Sequence, residues 1–161
     1  MIGAMQIREA NTEDAVEACR ILRRSITELC RLDHEDNPSV LERWLSNKTP
    51  DNVRAWIVHP DNYVAVATED TEIVGVGAIT STGEITLNYV SPNARFTGVS
   101  KAILRRLEAK ALELGNSTCA LASTKTAQRF YLSAGYEQQG LPTVMGVLTS
   151  YRMAKQLAPG G

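Results

Sequence analysis

The stretch of this sequence best equipped for chemistry runs Val90-Ser91-Pro92-Asn93-Ala94-Arg95-Phe96-Thr97-Gly98-Val99-Ser100-Lys101. An apolar run from Ile85 to Val90 stops at Pro92, which cannot extend a ladder and pushes Ser91 out of the helical region. From Gly98 the period is helical: Val99, Ala102, Ile103, Leu107, Ala111 and Leu114 recur at three- and four-residue steps, and Gly115 supplies the stop. A strand that enters a helix this way leaves the first helical N–H groups without intrahelical partners. An anion suits them, each negative charge gaining about 0.3–1 kcal/mol from the helix dipole beyond its direct hydrogen bonds. Arg95 and Lys101 add positive charge, and Gly98 removes a side chain where a phosphate would approach. An ordinary strand-to-helix turn accounts for the same residues, and a lone glycine does not decide between the two.

The elements that would position this turn can be read outward from it. Glu84 to Val90 alternates, with Ile85, Leu87 and Tyr89 pointing one way and Glu84, Thr86 and Asn88 the other. The polar face of such a strand is either solvent-exposed or lines a cleft, and the cleft is the expectation because the strand leads straight into the anion turn. Tyr63 to Thr68 and Ile73 to Thr80 read as a hairpin before it. Thr118 to Ala122 reads as a strand parallel to it, since a helix of about four turns connects the two. Thr124 then caps a helix whose apolar face is Ala127, Phe130, Tyr131 and Ala134, closed by Gly135. Tyr136 onward and Ser150 to Met153 complete the strands, with a turn at Gly140-Leu141-Pro142 between them. At the front, Met5 to Arg8 reads as a strand and Thr12 as the cap of a long helix with the stripe Val16, Cys19, Leu22, Ile26, Leu29 and Cys30. Leu32 to Pro38, which includes His34, is expected to be a polar surface loop that either borders the substrate entrance or is simply solvated. Short helices follow from about Ser39 and from Thr49-Pro50.

The 161 residues suit one domain, 1–161, with a full core. Seventeen basic and eighteen acidic side chains give a formal charge of -1, which argues against an electrostatic nucleic-acid binder. No apolar run is long enough for a membrane span, and the start is too short for a secretory signal, so a cytoplasmic location is expected. Three widely spaced cysteines and two histidines make a metal site improbable, and none is expected.

Together, the strand, V-x-P, R-x-x-G-V-S, long helix, Gly, strand, and then A-x-x-F-Y-x-x-A-G-Y resemble the GNAT superfamily of acyl-CoA-dependent N-acyltransferases. The element order is similar along nearly the whole chain, most strongly from Glu84 to Tyr136. The resemblance implies an α/β (α+β) fold: a mixed central sheet of six to seven strands, flanked by helices on both faces. The family's phosphate loop is written Q/R-x-x-G-x-G/A. Arg95, Gly98 and Ser100 stand at those positions, with Ser100 replacing the last small residue and Phe96 a frequent glycine.

The resemblance further implies acetyl-CoA as cosubstrate. Its pyrophosphate would be held by main-chain donors of Phe96, Thr97, Gly98, Val99, Ser100 and Lys101 beside Arg95, and its pantetheine would lie along Tyr89 and Val90 where two parallel strands splay. Thr124 stands where many relatives carry asparagine, and its hydroxyl is either a pantetheine contact or a plain cap. Tyr131 matches the tyrosine that usually sits near the thioester sulfur and would be the general acid, worth about 10²–10⁴-fold; the alternative is a core aromatic. Glu84, eleven residues before Arg95, matches the glutamate base of the histone-acetylating branch, against an exposed acid at a strand start. Asn88 and His34 are the expected acceptor contacts. Acidic Asp33, Glu35 and Asp36 hint at a cationic amine. The expected function is transfer of acetyl from acetyl-CoA to a primary amine of a small molecule or peptide by direct attack. A sensor that binds acyl-CoA without turnover is the alternative, as is a site for another phosphorylated nucleotide. Homodimers through the C-terminal strands are common in the family.

Overall fold

The computed structural model describes residues 5–95 and 97–158. Its sheet begins with four antiparallel strands, β1 (Met5–Glu9), β2 (Asn62–Glu69), β3 (Glu72–Thr80) and β4 (Glu84–Val90), paired in that order. Next to β4 lies β5 (Thr118–Ser123), parallel to it, and beyond β5 the strand β8 (Leu148–Gln156), with the short β6 (Glu137–Gln138) and β7 (Thr143–Met145) both antiparallel to β8. The described strands thus number eight rather than six to seven. β6, two residues long, is the strand expected from Tyr136 onward, and the addition is β7, three residues long and too short to show a period in sequence.

Helices cover both faces. α1 (Ala15–Leu29) and α4 (Pro50–Val58) pack against Val64, Val66, Val76, Ala78 and Leu87. On the opposite face α5 (Val99–Glu113) buries Ile103, Leu104, Leu107 and Ala111 against Ala65, Ala67, Ile79 and Ile85. α5 can lie close to the sheet because β3 presents Gly75 and Gly77 to it. A Cβ on Gly75 would stand 2.7 Å from Ile103 Cδ1, and one on Gly77 would overlap Ile103 Cγ2. The remaining helices are α2 (Arg31–His34), α3 (Pro38–Leu45) and α6 (Lys125–Ser133).

Three local expectations change. The cap expected at Thr12 falls instead on Asn11, which caps a 3-10 turn (Thr12–Asp14) leading into α1: its side chain accepts from Glu13 N while the Asp14 carboxylate accepts from Asn11 N, a reciprocal box. Val16 is 61% exposed and Ile21 takes the buried place, because Ala15 and Ala18 set the α1 stripe one position away. The expected loop after residue 31 instead opens with the helical turn α2, which buries Asp33 and His34.

The alternation of β4 is also broken. Ile79 pairs with Ile85 and Ala78 with Leu87, so Thr86 is an extra residue bulging from the ladder. Ile85 therefore joins the core under α5, while Leu87 and Tyr89 join the one under α1. Glu84 and Asn88 consequently fall on opposite faces, contrary to the simple period-two reading.

Candidate active site

The parallel ladder between β4 and β5 is two residues long, Glu84 with Ala120 and Ile85 with Leu121. Past the bulge the strands part, while β5 stays fully paired to β8 on its other edge, from Thr118 with Gln156 to Ser123 with Tyr151. Into this gap opens a cavity of about 440 Å³, walled by Ile85 to Val90 of β4, Leu121 to Ser123 of β5, the start of α5, and Thr124 and Tyr131 at the cap and on the body of α6. The splay exposes backbone donors and acceptors of both strands, which a ligand carrying amides would complete.

At one end stands the N-terminus of α5. Gly98, at φ +88°, is its cap residue and gives no side-chain hydrogen bond, so the first-turn N–H groups keep their bonding capacity. The glycine is needed for the left-handed conformation. It also keeps the approach open, since a Cβ there would have nothing within 4 Å. Arg95, Gly98, Val99, Ser100 and Lys101 all line the cavity. Thr97 does not, its hydroxyl donating back to Ala94 O. Phe96 lies outside the described residues.

The middle of the cavity holds Asn88, Tyr89, Val90, Thr124 and Tyr131. Asn88 Nδ2 donates to Ser100 O at 3.4 Å, and its Oδ1 is buried without a hydrogen-bond partner. Thr124 Oγ1 accepts from Ala127 N at 3.1 Å, capping α6 and leaving the hydroxyl proton uncommitted. Tyr131 is 7% exposed and stacks edge-on with Phe130 and Tyr136 at centroid distances of 5.1 and 5.6 Å. Burial pushes its phenol up to about 12, partly offset by the nearby Asn88 amide. Cys30, which sequence reasoning did not place here, also lines the wall, and burial with the neighbouring Asp33 charge pushes its thiol up to about 12.

Two expected contacts lie elsewhere. Glu84 is held by a two-pronged ion pair to Arg152, with Nη2 to Oε2 at 2.7 Å, and is not part of the cavity wall. The pair raises the Arg152 guanidinium, and the bulge has turned Glu84 to the face away from Asn88. His34 is fully buried: Nε2 meets Ile26 O at 3.0 Å and Thr27 O at 3.2 Å, while Nδ1 accepts from Asp36 N at 3.0 Å. Its ring fastens α2 to α1 and does not reach the cavity.

Asp33 was expected as an entrance acid and is instead structural. Its carboxylate accepts from Lys125 N at 2.7 Å, Thr126 N at 3.3 Å and Thr126 Oγ1, so α2 caps the helix that carries Tyr131. Asp36 pairs with Arg31 at 3.6 Å. The acidic loop therefore supplies no carboxylate to the cavity, and none lines it among the described residues.

Residues 27–157 match the family model described as an acetyltransferase (GNAT) domain, which covers most of the chain. The chain belongs to the GNAT acetyltransferase family. As a GNAT protein it is an acetyl-CoA-dependent acyltransferase. No curated protein matches it. Solved structures reproduce the fold at low identity. A GCN5-related N-acetyltransferase from Rhodopseudomonas palustris superposes with a TM-score of 0.85 at 20% identity, over 98% of both chains. The PaiA N-acetyltransferase of Thermoplasma acidophilum, solved with coenzyme A, gives 0.80 at 17%, over 96% of this GNAT chain and 99% of its own. YncA of Salmonella typhimurium, a putative acetyltransferase solved with acetyl-CoA, gives 0.74 at 19%, over 98% and 96%. Among the described residues no helix is long and apolar enough to cross a membrane, and no group of three or more His, Cys, Asp or Glu side chains is arranged for a metal ion.

Proposed function

We propose that the protein binds acetyl-CoA in the gap between β4 and β5 and transfers its acetyl group to an amine by direct attack, with Tyr131 as the general acid. The observation that carries this is the coincidence, in one cavity, of an uncapped α5 N-terminus and a parted parallel pair with a buried phenol beyond them. The pyrophosphate would meet the N–H groups of Val99, Ser100 and Lys101, with Arg95 and Lys101 as counter-charges. Pantetheine amides would bond the free edge of β4 at Tyr89 and Val90, and the Thr124 hydroxyl, on the same cavity wall, would be a further contact. The unpartnered Asn88 Oδ1 is an acceptor awaiting an N–H donor, and burying it unpaired costs about 1–3 kcal/mol without a ligand.

The thioester supplies an activated acetyl group. In the transfer a C–N bond forms, the C–S bond breaks, the amine loses a proton to water and the departing sulfur gains one. Tyr131 stays protonated at pH 7 and can donate that second proton. A buried phenol is a weak acid, and in water a thiol, at about 8.5, would be the stronger one. The same cavity, however, holds the Cys30 thiol up at about 12. The burial that disfavours the Cys30 thiolate would also raise the proton affinity of a thiolate released nearby, which favours its taking the Tyr131 proton. The same burial keeps Cys30 a neutral thiol, unsuited to carry the acetyl group itself. Glu84, tied to Arg152 outside the wall, is not the base in this reading, and the amine proton leaves through water.

Acetyl-CoA-dependent thiol release over a panel of amines tests the proposal. Tyr131→Phe should bind coenzyme A like the wild type and lose about 100-fold or more in kcat. Unchanged kcat would remove Tyr131 from the mechanism, and wild-type binding with no turnover on any amine would favour a sensor.

A further inference from the structure

A second cavity, of about 240 Å³, lies on the α1 side of the sheet and is lined by Asn47, Lys48, Trp56, Asn62, Ala78, Thr86 and Leu87. Thr86 and Leu87 also line the larger cavity, so the two spaces back onto the same bulge of β4. Lys48 is 9% exposed, and its ammonium donates to Asn47 Oδ1 at 2.7 Å. Its main chain is anchored, the carbonyl accepting from Cys19 Sγ and from Arg23 Nη1 at 2.9 Å, so the side chain is delivered to the cavity by a fixed backbone. Among the described residues no carboxylate forms an ion pair with Lys48, and none lines either cavity.

A buried ammonium with one amide for company is costly unless a counter-charge arrives. Desolvation accordingly lowers its pKa. The positive charges of the larger cavity, Arg95 and Lys101, sit at the α5 end that phosphates would fill, which leaves Lys48 as a separate cationic point at the other side of the bulge. A polyamine would find no acid in these walls to receive its remaining charges. A carboxylate would find an ammonium, with the Asn47 and Asn62 amides on the polar side and the Trp56 ring on the apolar side.

We propose that the smaller cavity seats the carboxylate of the acceptor against Lys48, so that the acceptor is a small amine of the amino-acid class whose nitrogen lies over Thr86, toward the acetyl group. This rests on the reading of the larger cavity as the acetyl-CoA site. The products are the N-acetylated acid and free coenzyme A, and Lys48 binds the acceptor without exchanging a proton with it.

The test compares the twenty common L-amino acids, their carboxamides and spermidine as acceptors, with acetyl-CoA binding measured separately by calorimetry. Turnover is expected with one or more of the free acids, at least ten-fold above the matching amide in kcat/KM. Lys48→Met should raise KM for that acid at least ten-fold and leave the acetyl-CoA KM unchanged, while Lys48→Arg should keep the preference for the acid. Equal use of acids and amides, better use of spermidine, or no turnover with any free acid by a protein that binds acetyl-CoA would overturn the acceptor assignment alone. Absence of acetyl-CoA binding by the wild type would overturn the larger-cavity reading, and this one with it. Should Lys48→Met fail to fold, the acid-to-amide ratio of the wild type and of Lys48→Arg still decides.

Discussion

Replacing Asp33 by alanine should unseat α6 from a distance of ninety-two residues in sequence. The carboxylate is 1% exposed and accepts from two main-chain N–H groups and one hydroxyl at the start of α6. A hydrogen bond to a charged group contributes about 1.5–3 kcal/mol, but water can reach the half-buried Lys125 and Thr126 once the carboxylate is gone, so the sum is not lost in full. A destabilisation of about 3 kcal/mol follows. With m near 2 kcal/mol/M, the urea midpoint should fall by about 1.5 M with m unchanged, and Tm by about 6–12 °C for a chain of this length. Asp33→Asn keeps one acceptor oxygen and turns an NH2 toward a donor, so it should lose about half as much. Because Thr124 and Tyr131 ride on α6, kcat/KM of the folded Asp33→Ala protein should fall about 100-fold, the scale of a misplacement near 1 Å. Circular dichroism against urea, with the thiol-release assay run below the transition, reads both effects. A midpoint shift under about 0.25 M in the alanine variant would refute the claim that this carboxylate holds α6, and equal loss in the two variants would refute the claim that the acceptor oxygen kept by asparagine carries half of its effect.

Gly77→Ala should destabilise by about 1–3 kcal/mol, because its Cβ would overlap the fully buried Ile103 and stand 3.2 Å from Leu107 Cδ1; an unchanged urea midpoint would show that α5 can retreat freely from β3. Glu84→Gln should leave kcat within about three-fold and stability within about 1 kcal/mol, since the side chain is partly exposed and paired with Arg152 outside the cavity. A hundred-fold loss of kcat at an unchanged unfolding midpoint would instead make Glu84 the base.

What the sequence displays best is whatever follows from neighbours along the chain. Pro92, Gly98 and the helical period after it announce the strand, turn and helix of the site, and Thr49-Pro50 and Thr124 mark their caps where the structure has them. The bulge at Thr86 is invisible to a period-two reading, because the residues on either side of it remain apolar in alternation while the ladder slips. That slip sends Glu84 and Asn88 to opposite faces. The fates of the acids were equally hidden: Asp33, Asp36 and Glu84 look available in sequence, yet each is engaged by a partner that only the fold brings near. Lys48, an unremarkable lysine between two helices, gains its interest from burial alone.

The central claim is that the space between β4 and β5 is an acetyl-CoA site gripped at its mouth by the start of α5. Titration calorimetry of the wild type and of Gly98→Val with acetyl-CoA addresses it most directly, since valine at φ +88° is strained and its side chain would enter the open approach to the helix N-terminus. One-to-one binding by the wild type, weakened at least ten-fold in Gly98→Val, is the predicted result. No measurable binding by the folded wild type, or equal affinity in the two proteins, would contradict it.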